Sequence, residues 1–110
     1  MAIKIERRQD DTAILIMPES VMRDGVGEMK ELALELIDGG TKRVVLDFDA
    51  VQRIDSQGLG QVVAFHITMQ KARVQCSVAR MKKAIKELFS ITNLDKVIDI
   101  HDSVSQALKT

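Results

Sequence analysis

The stretch RIDSQGLGQVV, residues 53–63, brings a carboxylate, a hydroxyl and an amide together with two glycines. A hydroxyl beside a carboxylate could belong to a hydrolase, in which an activated serine attacks a carbonyl carbon. However, Ile54 stands where the GxSxG nucleophile elbow needs glycine. His66 follows Ser56 by ten residues on the same predicted helix, about 15 Å away by helix rise, which is too far for a base. We therefore predict no hydrolase site here.

Other sequence signatures of catalysis and cofactor binding are missing as well. The chain has no GxxxxGKS or GxxxxGKT phosphate loop, and the GLG of residues 58–60 is too short for a dinucleotide fingerprint. His66 and His101 have no evident set of further metal ligands. The single Cys76 can form neither an internal disulfide nor a cysteine-rich metal site. We therefore expect a protein that is not an enzyme and that holds no cofactor and no metal.

Composition favours one domain, which we place at residues 1–110. Of these 110 residues, 45% are hydrophobic, enough for a core that buries about two thirds of the surface of the unfolded chain. Sixteen basic residues balance sixteen acidic ones, and only three Phe provide aromatic rings, which argues against direct nucleic-acid binding. We see neither a signal peptide nor an apolar run for membrane insertion, and therefore expect a cytoplasmic protein.

Apolar residues alternate near the N-terminus and then recur at helical spacing. AIKIE and TAILIM flank a DD turn signal at residues 10–11, which predicts a hairpin that ends at Pro18. From Met22 to Leu36 the spacing predicts a helix, with Asp24 as the expected N-cap and glycines at its end. The later elements are strand KRVVLDF, helix LGQVVAFHITMQKA, strand RVQCSVA, helix KKAIKELFSI, strand KVIDI and helix DSVSQALK, capped by Asp102 or Ser103.

This order predicts an α/β fold with a mixed β-sheet, an N-terminal hairpin, parallel strands and about four helices. Strands that alternate with helices pair in parallel through right-handed crossovers, so the hairpin alone is expected to be antiparallel. Ligands and partners of such sheets bind beyond the carboxyl ends of the strands. The stretch DAVQRIDSQGLG, residues 49–60, lies at that edge by its place in the chain.

Ser56 falls at or near the N-cap of the second predicted helix. Its hydroxyl can accept a hydrogen bond there from the backbone N–H near Gly58 or Leu59. Gly58 removes bulk where another surface could approach the backbone, and Gly60 could let the helix pack tightly on the sheet. An ordinary helix cap followed by loop glycines explains the same residues without any function. On spacing alone, both interpretations stay open.

The second predicted helix has an apolar side and a possible interface. On a helical wheel its apolar side is formed by Leu59, Val62, Val63 and His66. We expect His66 to be partly buried with a local hydrogen bond, rather than to act as a pH switch. Phe65 and Met69 belong either to the edge of the core or to an exposed ridge for a partner. If the helix carries an interface, the candidates beside Ser56 are Gln61, Phe65 and Thr68.

Two stretches of the sequence are similar to a known family. VVLDFDAVQRIDSQGLG, residues 44–60, resembles the STAS domain signature of anti-sigma factor antagonists. In that signature, a strand ending in an acidic residue leads to Asp-Ser, a small residue and Gly-Leu-Gly. LFSITNLDKVIDIHDSVSQAL, residues 88–108, resembles the closing helix, strand and helix of the same family. The resemblance covers nearly the whole chain and is best from Arg43 onward.

The resemblance implies a partner switch. The serine after the motif aspartate is Ser56, which a cognate anti-sigma factor that is also a serine kinase would phosphorylate. The unmodified antagonist would bind the anti-sigma factor, the phosphorylated form would dissociate, and a PP2C-type phosphatase would reset it. With the helix-face candidates included, we predict partner binding by Asp55, Ser56, Gln57, Gly58, Gln61 and Phe65. A monomer or weak homodimer is expected.

Three residues depart from the family pattern. After the second strand the family carries Gly-x-(Leu/Ile)-Asp, whereas here Pro18 stands near the glycine and Val21 near the aspartate. Gln57 replaces a small residue directly after Ser56. These departures bear on kinase recognition more than on the fold. The alternatives are a STAS subunit that docks on an ABC-type lipid transporter or scaffold without phosphorylation, and a nucleotide-binding STAS module.

Overall fold

The computed structural model describes residues 2–23 and 27–109. The strands in these ranges are β1 (Lys4–Arg8), β2 (Thr12–Ile16), β3 (Ser20–Val21), β4 (Arg43–Asp47), β5 (Arg53–Ile54), β6 (Gln75–Ala79) and β7 (Asp99–His101). The helices are α1 (Glu28–Asp38), α2 (Ser56–Lys71), α3 (Lys83–Ile91) and α4 (Val104–Leu108), and a 3₁₀ turn spans Leu94–Lys96.

Five strands form one mixed sheet in the order β1-β2-β4-β6-β7. β1 and β2 pair antiparallel through a hairpin, and the other neighbours pair in parallel. The hairpin turn places Asp10 and Asp11 at φ 62° and 57°, a left-handed conformation that aspartate tolerates better than most residues. β3 and β5 form a separate parallel pair. The predicted α/β fold with a mixed sheet, an N-terminal hairpin and four helices is confirmed.

The two faces of the sheet are covered unequally. On one face, α1, α2 and α3 bury a large cluster that includes Leu36, Val62 and Phe89. On the other, α4 packs a small cluster around Val45 and Ala107. Successive strand residues alternate between the two clusters, as the pleat of a sheet requires. Helix α2, which begins at Ser56, therefore belongs to the thicker layer.

The first helix begins later than the sequence predicted. It starts at Glu28, and Met22 lies before it as a half-buried residue outside any helix. Gly27 opposes helix formation at this point, and it adopts φ 95° just before the helix. The expected cap Asp24 and the stripe residue Val26 lie outside the described residues. The end of the helix agrees with the prediction, because it stops at Asp38 before Gly39 and Gly40.

One further strand boundary and two short strands differ from the predictions, and the cap of the last helix is decided. The strand expected over KVIDI, residues 96–100, lies instead at Asp99–His101. Its start is delayed because Ile98 still belongs to the preceding turn, where its N–H donates to Leu94 O at 2.9 Å. β3 and β5 were not predicted, since two residues are too few to produce an alternating pattern. Of the two candidate caps of the last helix, Ser103 is the cap, and its hydroxyl accepts from Gln106 N–H at 3.0 Å.

Candidate functional site

Asp55, rather than Ser56, caps helix α2. The Asp55 backbone is extended, and its Oδ1 accepts from the Gly58 backbone N–H at 2.7 Å. Ser56 is the first residue of the helix. The predicted cap position was therefore correct to one residue, but the predicted hydroxyl acceptor was wrong. A carboxylate satisfies the free N–H group and also interacts favourably with the positive end of the helix dipole.

The two glycines of the motif have different environments. Gly58 is buried, and a Cβ built on it would lie 1.9 Å from the carbonyl oxygen of Val21. The close approach expected at Gly58 is therefore made by the chain itself. Gly60 is exposed, and a Cβ there would meet nothing within 4 Å, so the predicted tight packing at Gly60 is wrong. Gly58 is thus a structural requirement for the turn that presents Ser56.

The loop between β4 and α2 is anchored at both ends. Phe48 is fully buried, and its ring meets that of Phe89 edge to face with centroids 6.2 Å apart. Further along, the backbone N–H groups of Gln52 and Arg53 donate to Glu19 O at 2.8 and 3.1 Å. The next residues continue this contact, because β5 pairs with β3 in parallel. These contacts hold the start of α2 beyond the carboxyl end of β4, where the sequence placed it.

The predicted site residues fall into an exposed group and a buried group. Ser56 and Gln57 are exposed, and Asp55 and Gln61 are half-buried. Phe65 is 2% exposed and belongs to the core, as does Met69, so the core interpretation of these two side chains is correct. Gly58 and Phe65 therefore expose little surface that a partner could contact.

A shallow groove runs between α1 and α2. It has a volume of about 290 Å³ and is lined by Gly27, Met29, Lys30, Ala33, Gln61, Ala64, Phe65 and Thr68. The three interface candidates Gln61, Phe65 and Thr68 meet in this groove. Gln61 Nε2 donates to Met22 O at 3.3 Å, while its amide oxygen is buried and accepts no hydrogen bond from the described residues.

His66 lies in the apolar side of α2, as predicted, but without the expected hydrogen bond. It is 7% exposed, and neither ring nitrogen has a hydrogen-bond partner among the described residues. A buried polar atom without a partner costs free energy. The helical wheel could place the ring but could not show what faces it from other elements.

Asp47, the acidic residue that ends β4, is held by an ion pair. Arg80 Nη2 and Nε lie 2.7 and 3.0 Å from its two carboxylate oxygens, and Asp49 N–H donates to Oδ1 at 3.1 Å. Burial raises the pKa of Asp47, but the hydrogen bonds from Arg80 and Asp49 and the charge of Arg80 outweigh it and lower the pKa below its usual value. Sequence spacing could not reveal this pair, because its members belong to different strand ends.

The described ranges contain no group of three or more His, Cys, Asp or Glu side chains arranged to hold a metal ion. Cys76 is buried on β6, where burial raises the pKa of its thiol to about 12. Cys76 thus behaves as a small buried hydrophobic residue. No helix within 2–23 and 27–109 combines the length and the apolar character that crossing a membrane requires.

The sequence profile of the STAS domain matches residues 4–107, and the chain belongs to this family. A Thermotoga maritima protein whose name assigns it provisionally to the anti-sigma factor antagonists is 24% identical over 101 residues, which cover 91% of this chain and 89% of that protein. The suspected family is therefore confirmed.

Two solved structures share the fold. The crystal structure of an anti-sigma factor antagonist from Mycobacterium paratuberculosis has a TM-score of 0.84 at 18% identity, covering 98% of this chain and 91% of that one. SpoIIAA, a Bacillus cell fate determinant solved in its phosphorylated form, has a TM-score of 0.75 at 14% identity, covering 98% and 97%. At these identities the likeness concerns the fold.

Proposed function

We propose that this protein is an anti-sigma factor antagonist that is switched by reversible phosphorylation of Ser56. The observation that supports the proposal best is the contrast between two adjacent residues. Asp55 is half-buried and uses its carboxylate within the chain, whereas Ser56 is exposed at the first position of α2. A kinase can therefore reach the hydroxyl without disturbing the helix cap.

A phosphate at this position changes binding more than folding. It adds about −1.5 to −2 charges at neutral pH. The N-terminus of a helix tolerates such a charge and is stabilised by it by about 0.3–2 kcal/mol. A partner surface that must bury the same charge loses several kcal/mol, and about 5.5 kcal/mol moves an equilibrium from 99:1 to 1:99. The modification thus releases a partner and leaves the antagonist folded.

The proposed partners are an anti-sigma factor that is also a serine kinase and a PP2C-type phosphatase, in the cytoplasm. The exposed contact residues are Ser56 and Gln57, with Asp55 and Gln61 at their edge. Val21 cannot replace the acidic residue that the family carries near the serine, because its side chain has no carboxylate and packs in the core. Kinase recognition then depends on other groups around Ser56.

Intact mass measured after incubation with the cognate kinase and ATP tests this function. One added phosphate is expected on the wild-type protein and none on Ser56→Ala. Ser90, which is exposed on α3, provides the matched control, since Ser90→Ala should still gain one phosphate. An unmodified wild-type protein that co-purifies with a membrane ATPase would instead favour the permanent transporter subunit.

A further inference from the structure

The segment Val21–Arg23 is held against the first two turns of α2 by each of its residues. Val21 O accepts from Asp55 N–H at 3.4 Å and lies where a side chain on Gly58 would be. Met22 O accepts from Gln61 Nε2 at 3.3 Å, and Arg23 N–H donates to Asp55 Oδ2 at 3.2 Å. The backbone of Arg23 is therefore fixed beside the residue that precedes Ser56.

Few charged side chains of the described residues surround Ser56, and within residues 2–23 and 27–109 the Arg23 guanidinium has no ion-pair partner. Asp55 uses both carboxylate oxygens to accept backbone N–H groups. Arg53 is paired with Glu19 through Nη2 and Oε1 at 3.2 Å. α2 has no acidic residue in its first turn. Arg23 is exposed and forms no ion pair within the part of the chain that the structure describes.

We propose that Arg23 is the internal counter-charge for a phosphate on Ser56. Its guanidinium binds the phosphate oxygens and ties the Val21–Arg23 segment to the modified start of α2. This inference rests on the proposed modification of Ser56 and adds the residue that receives the phosphate. The Arg23 backbone is fixed at Asp55, and an extended arginine side chain is long enough to reach from there to Ser56, the next residue. The planar guanidinium can bind two phosphate oxygens at once.

The contact has two consequences for the surface. First, it offsets the repulsion between the phosphate and the adjacent Asp55 carboxylate, so that the helix cap persists. Second, it occupies an exposed guanidinium that could instead bind an acidic group of a partner. Phosphorylation of one serine then removes two binding groups at once, the hydroxyl and the arginine.

Phosphoserine inserted at position 56 during translation, without any kinase, allows a direct test. A ³¹P NMR titration measures the second pKa of the phosphate. We expect this pKa to be lower by about 0.3 unit or more in the parent protein than in Arg23→Gln, because a nearby positive charge favours the dianion. Arg23→Lys should retain part of the shift. Arg7→Gln removes an exposed arginine from β1, which pairs near the amino end of β2, and should leave the titration unchanged.

Identical phosphate titrations of the parent protein and Arg23→Gln would overturn the inference, as would an equal effect of Arg7→Gln. ¹H–¹⁵N spectra of the variants confirm that each is folded. Because the phosphate is installed genetically, a kinase that fails to modify Ser56 would contradict the proposed function and leave this result standing. Conversely, if the kinase modifies Ser56 but Arg23→Gln leaves the phosphate pKa unchanged, the proposed switch stands and the role of Arg23 is refuted.

Discussion

At the scale of single residues, Asp55 and Ser56 have different roles in the motif, one structural and one exposed to partners. Asp55 Oδ1 caps α2 and Oδ2 holds Arg23 N–H, so this side chain serves the fold. The Ser56 side chain is exposed and forms no hydrogen bond with the described residues. We therefore expect these two neighbouring residues to have separable effects on stability and on binding.

We expect Asp55→Ala to lower the free energy of unfolding by about 1–2 kcal/mol, because it removes the cap and the Arg23 hydrogen bond. Ser56→Ala should change it by less than about 0.5 kcal/mol, as is usual for an exposed side chain. Urea denaturation of both variants measures the difference. Equal destabilisation by the two substitutions would contradict the assignment of the cap.

Ser56→Asp should weaken partner binding at least tenfold, about 1.4 kcal/mol, because it places a charge in the proposed contact surface. The melting temperature should stay within a few degrees of the wild type, because the charge lies at the favourable end of the helix dipole. Calorimetric titration and thermal unfolding give the two values. Binding that is unchanged would remove the electrostatic basis of the switch.

Gly58→Ala and Gly60→Ala form a matched pair in one helix. The first forces a methyl group against Val21 O, and we expect it to lower stability by more than about 2 kcal/mol or to prevent folding. The second meets open space and should raise stability by about 0.5–1 kcal/mol, since alanine favours a helix over glycine. Soluble yield and urea midpoints distinguish them, and a harmless Gly58→Ala would refute the close contact.

At the scale of secondary-structure elements, the Asp47–Arg80 pair joins the ends of β4 and β6. These strands are neighbours, and the loop that leads to Ser56 starts from β4. Asp47 is 5% exposed, whereas nearly half of the Arg80 side chain is accessible to solvent. Arg80 also has φ 62°, a conformation that glycine adopts more easily. Its side chain thus compensates for an unfavourable backbone.

Arg80→Gln should destabilise the protein at pH 7 by about 1–3 kcal/mol, because it leaves a buried carboxylate without its ion pair. The folded-state pKa of Asp47 is lowered, so the stabilisation is present above the unfolded pKa of about 3.9 and disappears as the pH falls through the folded value. Unfolding measured from pH 7 to pH 3 should show the two proteins converging. Arg80→Gly, which relieves the backbone, should lose less than Arg80→Gln.

At the scale of the whole molecule, the ionisation of Cys76 is coupled to folding, because this residue is buried on β6, an inner strand of the sheet. Its thiol has a raised pKa of about 12 in the folded state. An unfolded thiol ionises near pH 8.5, so stability should fall as the pH rises from about 8.5 toward the folded value. We expect Cys76→Ala to flatten this alkaline slope, although it lowers stability at pH 7. An alkaline slope that is identical in both proteins would exclude Cys76 as its source.

The order of the elements followed from the sequence because each main strand and helix is long enough to show its own period. The identity of the α2 cap did not, since Asp55 and Ser56 are equally good capping residues and only tertiary contacts select one. Likewise, Phe65 lies at the border of the apolar side of α2, and the packing of α1 and the sheet places it in the core. The periodicity of apolar residues thus predicts the helices and strands. Tertiary contacts decide which residue caps a helix and which side chain is buried.

The close contact between Gly58 and Val21 bears on how genetic data for this protein should be interpreted. In a saturation library scored in parallel for cellular abundance and for signalling, substitutions at Gly58 should deplete both scores. Substitutions at Ser56 should deplete signalling while abundance stays normal. Two positions of one motif, separated only by Gln57, would then differ, because Gly58 is needed for folding and Ser56 for regulation.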